Sequence, residues 1–341
     1  MIKIENLAFS YGDNTVLKDI SMTLQEGRIY GLLGENGVGK TTLLTLLAGL
    51  KKTEHGSIDI DGYNPFDRKP SFLSEIYYLP DEVPAARMSA LAFASDRGQF
   101  WTKFDLGKFR EIMGILETDE KMRMDRMSYG QLKKTFISFA LACNSKYLFM
   151  DEPTNGLDIP SKAQFRKAVS KYTSDESTLL ISTHQVRDLE TLIDPIIILD
   201  RCDVLLNASL DEITEKLYFD YSTTVDPDAL YSELIPGGCI QVVPNSTGVE
   251  SNLNAVNRLF NCLCHNLWLI AHFFVKNVSN NRAKLVILIV NQKLEFLNER
   301  YQDNWRPYFR RRFSRNERRH KGRDPFFDSS RMEGIRHLPW L

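Results

Sequence analysis

The chain has 341 residues, enough for one large domain or two smaller ones. Its 43% hydrophobic content suits a sizeable core, and five cysteines without framework spacing exclude a disulfide scaffold and fit a reduced compartment. The formal charge of −1 hides a division, because residues 1–253 carry 26 Lys and Arg against 37 Asp and Glu, whereas residues 254–341 carry 17 against 7.

The amino terminus has no basic stretch followed by an apolar one, so no signal peptide is expected. No run reaches the roughly 18 apolar residues of a spanning helix. The nearest, Leu267–Val275, is too short and holds a histidine.

In chain order, Ile2–Phe9 and Ser21–Leu24 alternate apolar and polar residues, as half-buried antiparallel strands do. Arg28–Leu33 is a buried strand running into a glycine turn, and Thr41–Leu50 is a leucine-rich helix. Ser57–Asp61 alternates again. Residues 84–145 lack β-branched runs and predict a helical insertion. A strand at Tyr147–Met150, a helix over Ser161–Tyr172, a strand at Thr178–Ser182 and a helix over Gln185–Ile193 follow. Strands Ile196–Asp200 and Val204–Asn207 precede a short helix, Leu210–Leu217, and Asp220–Val243 reads as strands punctuated by Pro and Gly. Alternating strands and helices predict an α/β fold.

Two motifs carry chemistry. Gly34-Glu-Asn-Gly-Val-Gly39-Lys40-Thr41 satisfies GxxxxGK[ST], with a strand before it and a helix after it. Its glycines let backbone N–H groups turn inward on phosphate oxygens, and a helix amino terminus adds partial positive charge. Lys40 can reach the β- and γ-phosphates of ATP, and the Thr41 hydroxyl can ligate Mg²⁺. About a hundred residues later an apolar strand ends in Asp151-Glu152. One carboxylate there can hold Mg²⁺ and the next can polarise an attacking water.

With Met127-Ser-Tyr-Gly-Gln131, Pro153-Thr-Asn-Gly-Leu-Asp158 and Ser182-Thr-His184 standing in order after the phosphate loop, the chain resembles an ABC transporter ATP-binding subunit over residues 1–217. Ser128, Gly130 and Gln131 match the LSGGQ signature, while Met127 and Tyr129 depart from it. The resemblance implies an α/β P-loop NTPase core with an antiparallel β subdomain and a helical signature subdomain at about 84–145.

It also implies roles. Tyr11 would stack on adenine. Gly34, Asn36, Gly37, Gly39, Lys40, Thr41 and Thr42 would bind the phosphates. Thr41 and Asp151 would hold Mg²⁺, Glu152 would be the general base, and His184 would sense the γ-phosphate. Ser128, Gly130 and Gln131 would close on ATP held by a second subunit, with Asp158 signalling across that head-to-tail dimer. Where the family usually carries glutamine, this chain has Asp81, read either as an oxygen ligand to Mg²⁺ or its water, or as a surface loop residue.

The expected function is an ATPase that dimerises around ATP and powers a separately encoded membrane permease, with an exporter favoured. It would be cytoplasmic and held to the inner membrane face through that permease. The alternative is a soluble ABC ATPase acting on nucleic acid or ribosomes. Against it, the 88 residues from Lys40 to Ser128 hold neither heptads nor cysteine pairs, and there is one cassette. No nucleic-acid partner is expected. Residues 218–253 form a small strand-rich extension in this reading. Residues 254–341 shift abruptly towards Arg, Trp and His, and are read as a basic tail that is either disordered or out of frame.

Overall fold

The computed structural model describes residues 1–245 other than 186, 187, 190, 228, 230 and 236. The tail at 254–341 lies outside the described residues.

Strands β1 (Ile2–Tyr11) and β2 (Asn14–Leu24) pair antiparallel. The two stretches read as alternating, Ile2–Phe9 and Ser21–Leu24, lie within these strands. The start of β2 escapes that reading because the register shifts around Leu7 and Phe9 and Asp19 adopts a left-handed backbone, so the alternation breaks. Next come β3 (Ile29–Leu33), α1 (Lys40–Leu47) and β4 (His55–Ile60), and β4 completes a three-stranded sheet in the order β2-β1-β4.

After α2 (Pro70–Leu73) and β5 (Ile76–Leu79) the helical insertion appears as α3 (Ala90–Arg97), α4 (Leu106–Ile115) and α5 (Tyr129–Ala142). Asp105 and Ser128 cap α4 and α5 by accepting backbone N–H groups, which fixes where each helix begins. The insertion is anchored by rings. Phe139 of α5 has Phe93, Phe104, Trp101 and Tyr77 around it at centroid distances of 5.2, 5.3, 5.6 and 5.7 Å. The Trp101 indole N–H donates to the Ile76 carbonyl at 2.8 Å, tying the insertion to β5.

The chain continues through β6 (Tyr147–Asp151), α6 (Ile159–Tyr172), β7 (Thr178–Thr183), β8 (Ile196–Asp200), β9 (Asp203–Ala208) and α7 (Leu210–Lys216). The helix expected over Gln185–Ile193 falls partly on residues 186, 187 and 190, outside the described residues; among the described ones the Ile193 N–H donates to the Leu189 carbonyl at 3.1 Å. The Asp188 carbonyl accepts from the Arg166 guanidinium at 2.9 Å, tying this stretch to α6.

A six-stranded sheet runs β5-β6-β7-β3-β8-β9, parallel throughout except for β8 against β9. Every residue of β6 and β7 is buried, so these strands read as apolar runs without alternation. The extension forms its own antiparallel sheet of β10 (Leu217–Ser222), β11 (Tyr231–Ile235) and β12 (Gly238–Pro244), in the order β10-β12-β11. Leu217, Phe219, Ile240 and Val242 of that sheet pack into the same hydrophobic cluster as α4 and α5. The α/β class with a separate antiparallel subdomain and a helical insertion is therefore the observed architecture.

Candidate active site

An open parallel sheet gathers ligands beyond the carboxyl ends of its strands, where the connecting loops meet. The segments following β3, β5, β6 and β7 line one cavity of about 470 Å³. Of the residues named from the sequence, Tyr11, Asn36, Gly37, Gly39, Lys40, Thr41, Thr42, Asp81, Asp151, Glu152 and His184 line it. Gly34, Ser128, Gly130, Gln131 and Asp158 do not.

The phosphate loop is shaped by backbone. Gly37 and Gly39 have φ of 88° and 109°, a region side chains avoid. A Cβ at Gly39 would also stand 2.9 Å from Leu17 Cδ2 and 3.0 Å from Val16 Cγ1. Gly39 is the N-cap of α1 and offers no side-chain acceptor, so the helix's first amides remain available to an anion. Lys40 is only 6% exposed, and its Nζ donates to the carbonyls of Gly34 at 2.8 Å and Glu35 at 3.0 Å. Burial lowers its pKa, against the opposing pull of Glu152 and Asp151. A cation folded back over its own loop, beside open amides, suits a polyphosphate.

The acidic pair is held by small hydroxyls. Thr41 Oγ1 donates to Asp151 Oδ2 at 2.6 Å, and Ser182 Oγ donates to Asp151 Oδ1 at 2.5 Å. Ser182 Oγ in turn accepts the Glu152 N–H at 3.0 Å. Glu152 has φ of 44°, a strained backbone for a side-chain-bearing residue, of the kind seen where a site fixes a group in place. Its Oε2 lies 3.0 Å from His184 Nδ1, and its Oε1 lies 3.6 Å from Lys40 Nζ. Oε1 is buried and receives no hydrogen bond from the protein. Glu152 thus holds its carboxylate between Lys40 and His184, with Oε1 turned to the lysine.

Among the described residues, no group of three or more His, Cys, Asp and Glu is arranged to hold a metal. Thr41 and Asp151 together offer a few hard oxygens, which suits Mg²⁺, an ion that keeps much of its water shell. Tyr11 is 48% exposed, with its hydroxyl 3.3 Å from Thr42 Oγ1 and its ring 4.8 Å from Lys51 Nζ. Asp81 lines the cavity, but its carboxylate is 3.3 Å from both Lys133 Nζ and Asn155 Nδ2.

Ser128 and Asp158 serve as helix caps. The Ser128 and Gln131 side chains exchange hydrogen bonds with each other's backbone N–H at 3.3 and 2.9 Å, and Asp158 Oδ1 accepts the Ser161 N–H at 2.9 Å. Three residues escaped the sequence reading of the site: Ser182, Asn155 and Lys133. Ser182 stood inside a recognised motif, but its hydroxyl acts on a residue 31 positions away. No spacing rule reveals that pairing.

Comparison with known proteins agrees with this geometry. A family model for the ABC transporter domain matches residues 17–155. The ABC transporter ATP-binding protein YtrB of Bacillus subtilis is 28% identical over 230 residues, 67% of this chain and 78% of YtrB. The lantibiotic transport ATP-binding protein SrtF of Streptococcus pyogenes is 30% identical over 225 residues, 64% of this chain and 96% of SrtF. A dimeric post-hydrolysis structure of the ATP-binding cassette MJ0796 with ADP and Pi shares the fold, with a TM-score of 0.55 and 22% identity over 62% of this chain and 99% of that one. The chain belongs to the ABC transporter ATP-binding proteins, and is an ATPase acting on ATP with Mg²⁺.

Proposed function

We propose that the chain hydrolyses ATP between two cassettes arranged head to tail, and that this cycle drives a separately encoded membrane permease. The observation that carries the proposal is a division of residues. The phosphate loop, the acidic pair and His184 converge on one cavity, whereas Ser128, Gly130 and Gln131 stand outside it. A signature loop unable to serve its own cavity is complementary to that of a second copy. Among the described residues no helix is long and apolar enough to cross a membrane, and relatives such as SrtF carry transport in their names.

In this reading Lys40 and the first amides of α1 bind the β- and γ-phosphates, and Tyr11 supports the base. Thr41 and Asp151 would hold Mg²⁺, which when bound offsets phosphate charge and polarises the γ-phosphoryl group. The Glu152 carboxylate accepts the proton of the attacking water, and His184 steadies that carboxylate through Oε2. Ser128 and Gly130 engage the γ-phosphate of the partner's ATP, Gln131 holds Ser128 in its cap, and Asp158 holds the start of α6 beside the interface.

Glu152→Gln keeps the shape of the side chain and removes its basicity. Turnover is expected to fall at least about 100-fold, a usual size for loss of a general base, with ATP still bound. The variant with ATP should elute as a dimer in size-exclusion chromatography. Turnover at the unmodified rate would remove Glu152 from the role, and a monomeric ATP-bound form would overturn the two-cassette arrangement. Co-purification of the tagged chain with a membrane protein tests the permease.

A further inference from the structure

Lys133 is a charged side chain with no exposure to solvent, and the hydrolytic scheme above has no use for it. It lies in the second turn of α5, five positions after the cap residue Ser128. Its Nζ donates to the Asp81 carbonyl at 2.5 Å and lies 3.3 Å from both the Pro80 carbonyl and Asp81 Oδ1. Those contacts match the three donors of an ammonium group, the condition under which a buried cation is tolerated. Burial lowers the Lys133 pKa and Asp81 opposes the shift.

Asp81 is itself a junction. Its carbonyl also accepts from the Tyr129 hydroxyl at 2.9 Å, and its carboxylate is within 3.3 and 3.4 Å of Asn155 Nδ2. The Tyr129 ring lies against Gly156, where a Cβ would come within 2.6 Å of Tyr129 Cε1. The segment after β5, the start of α5 and the segment after β6 thus meet at one aspartate that lines the cavity. The carboxylate is engaged by Lys133 and Asn155, and the oxygens assembled around Asp151 come from Thr41 and Ser182 instead.

We propose that Lys133 and Asp81 form a charged latch fixing the start of α5, and with it Ser128 and Gly130, against the cavity wall. Lys133 is a positioning residue for hydrolysis, and Asp81 works through it rather than on the metal. The effect on turnover rests on the two-cassette reading, since a misplaced signature loop is felt by the partner's ATP. The latch itself is a property of one chain. Lys133 has no hydrogen bond to Lys40, Thr41 or Tyr11 and reaches Asp151 and Glu152 only through its charge, so releasing it should slow the chemistry without loosening nucleotide.

The test compares the full chain with Lys133→Met, Lys133→Arg, Asp81→Asn and the Asp81→Asn/Lys133→Met double variant. ATP turnover, KM, the Mg²⁺ concentration giving half-maximal rate, and amide hydrogen exchange over the first two turns of α5 without nucleotide are measured. Lys133→Met should lower kcat about tenfold while KM and the Mg²⁺ requirement stay within about twofold, and Lys133→Arg should recover most of the loss. Lys133→Met and Asp81→Asn should each speed exchange in α5 by about tenfold, and the double variant should fall well short of the product of the two. If Lys133→Met does not fold, Asp81→Asn gives the exchange and turnover readouts, with Lys133→Arg as the variant that should keep exchange near that of the unmodified chain. A severalfold higher Mg²⁺ requirement in Asp81→Asn would make Asp81 a metal ligand and overturn the proposal. Unchanged α5 exchange, or independent effects of the two changes, would equally overturn it. If the unmodified chain failed to hydrolyse ATP, the two-cassette reading would fall, and the exchange measurements would still decide the latch.

Discussion

Ser182 stands between the two acidic residues at the end of β6, donating to Asp151 Oδ1 and accepting the Glu152 N–H. One hydroxyl thus orients the carboxylate proposed for Mg²⁺ and fixes the backbone that carries the proposed base. Ser182→Ala would leave the Glu152 amide without its acceptor and would remove one of the hydroxyls that hold Asp151. An unsatisfied buried amide costs about 1–3 kcal/mol, so denaturant unfolding should show a stability loss in that range. Turnover should fall about tenfold, the size expected when a catalytic group loses its orienting partner. Unmodified turnover would mean that Asp151 is positioned without Ser182. At this scale the sequence was legible where a motif names the residue: Lys40 and Thr41 stand in a phosphate-loop pattern, Asp151 and Glu152 end an apolar strand, His184 came from the resemblance, and all five line the cavity. Ser182, Asn155 and Lys133 were not legible, because their partners lie on segments brought together only by folding.

At the scale of elements, legibility followed burial. Strands β6 and β7 are buried on both faces, so their apolar runs stand out. In the opening hairpin the first part of β2 escaped the reading, because the shifted register and the left-handed backbone at Asp19 break its alternation. Packing of the helical insertion was not legible at all, because aromatic residues spaced along it meet only in three dimensions. Phe139 is the hub of that packing, 1% exposed with four rings around it. Phe139→Ala should destabilise the chain by about 3–5 kcal/mol, since a large buried ring leaves both lost transfer energy and a cavity. Denaturant unfolding of the purified chain measures this. A loss under about 1 kcal/mol would mean that the surrounding rings collapse into the space.

For the whole molecule, the division of charge meets the geography of the site. Residues 1–253 carry a net −11 and residues 254–341 a net +10, so the near-neutral total is a sum of two opposed parts. Every residue lining the nucleotide cavity falls between Tyr11 and His184, and the last strand of the described sheets ends at Pro244. Among the described residues the core clusters extend as far as Val242. The change of composition near residue 253 predicts that a chain ending there folds and turns over ATP within about twofold of the full chain. Its charge should be strongly negative at neutral pH. The shortened chain should bind an anion-exchange column more tightly, and should lose any salt-sensitive binding to phosphate-rich polymers that the full chain displays. Turnover reduced tenfold or more by the truncation would give the basic segment a part in the ATPase cycle. Unchanged column behaviour would show that its charge is already neutralised within the full chain.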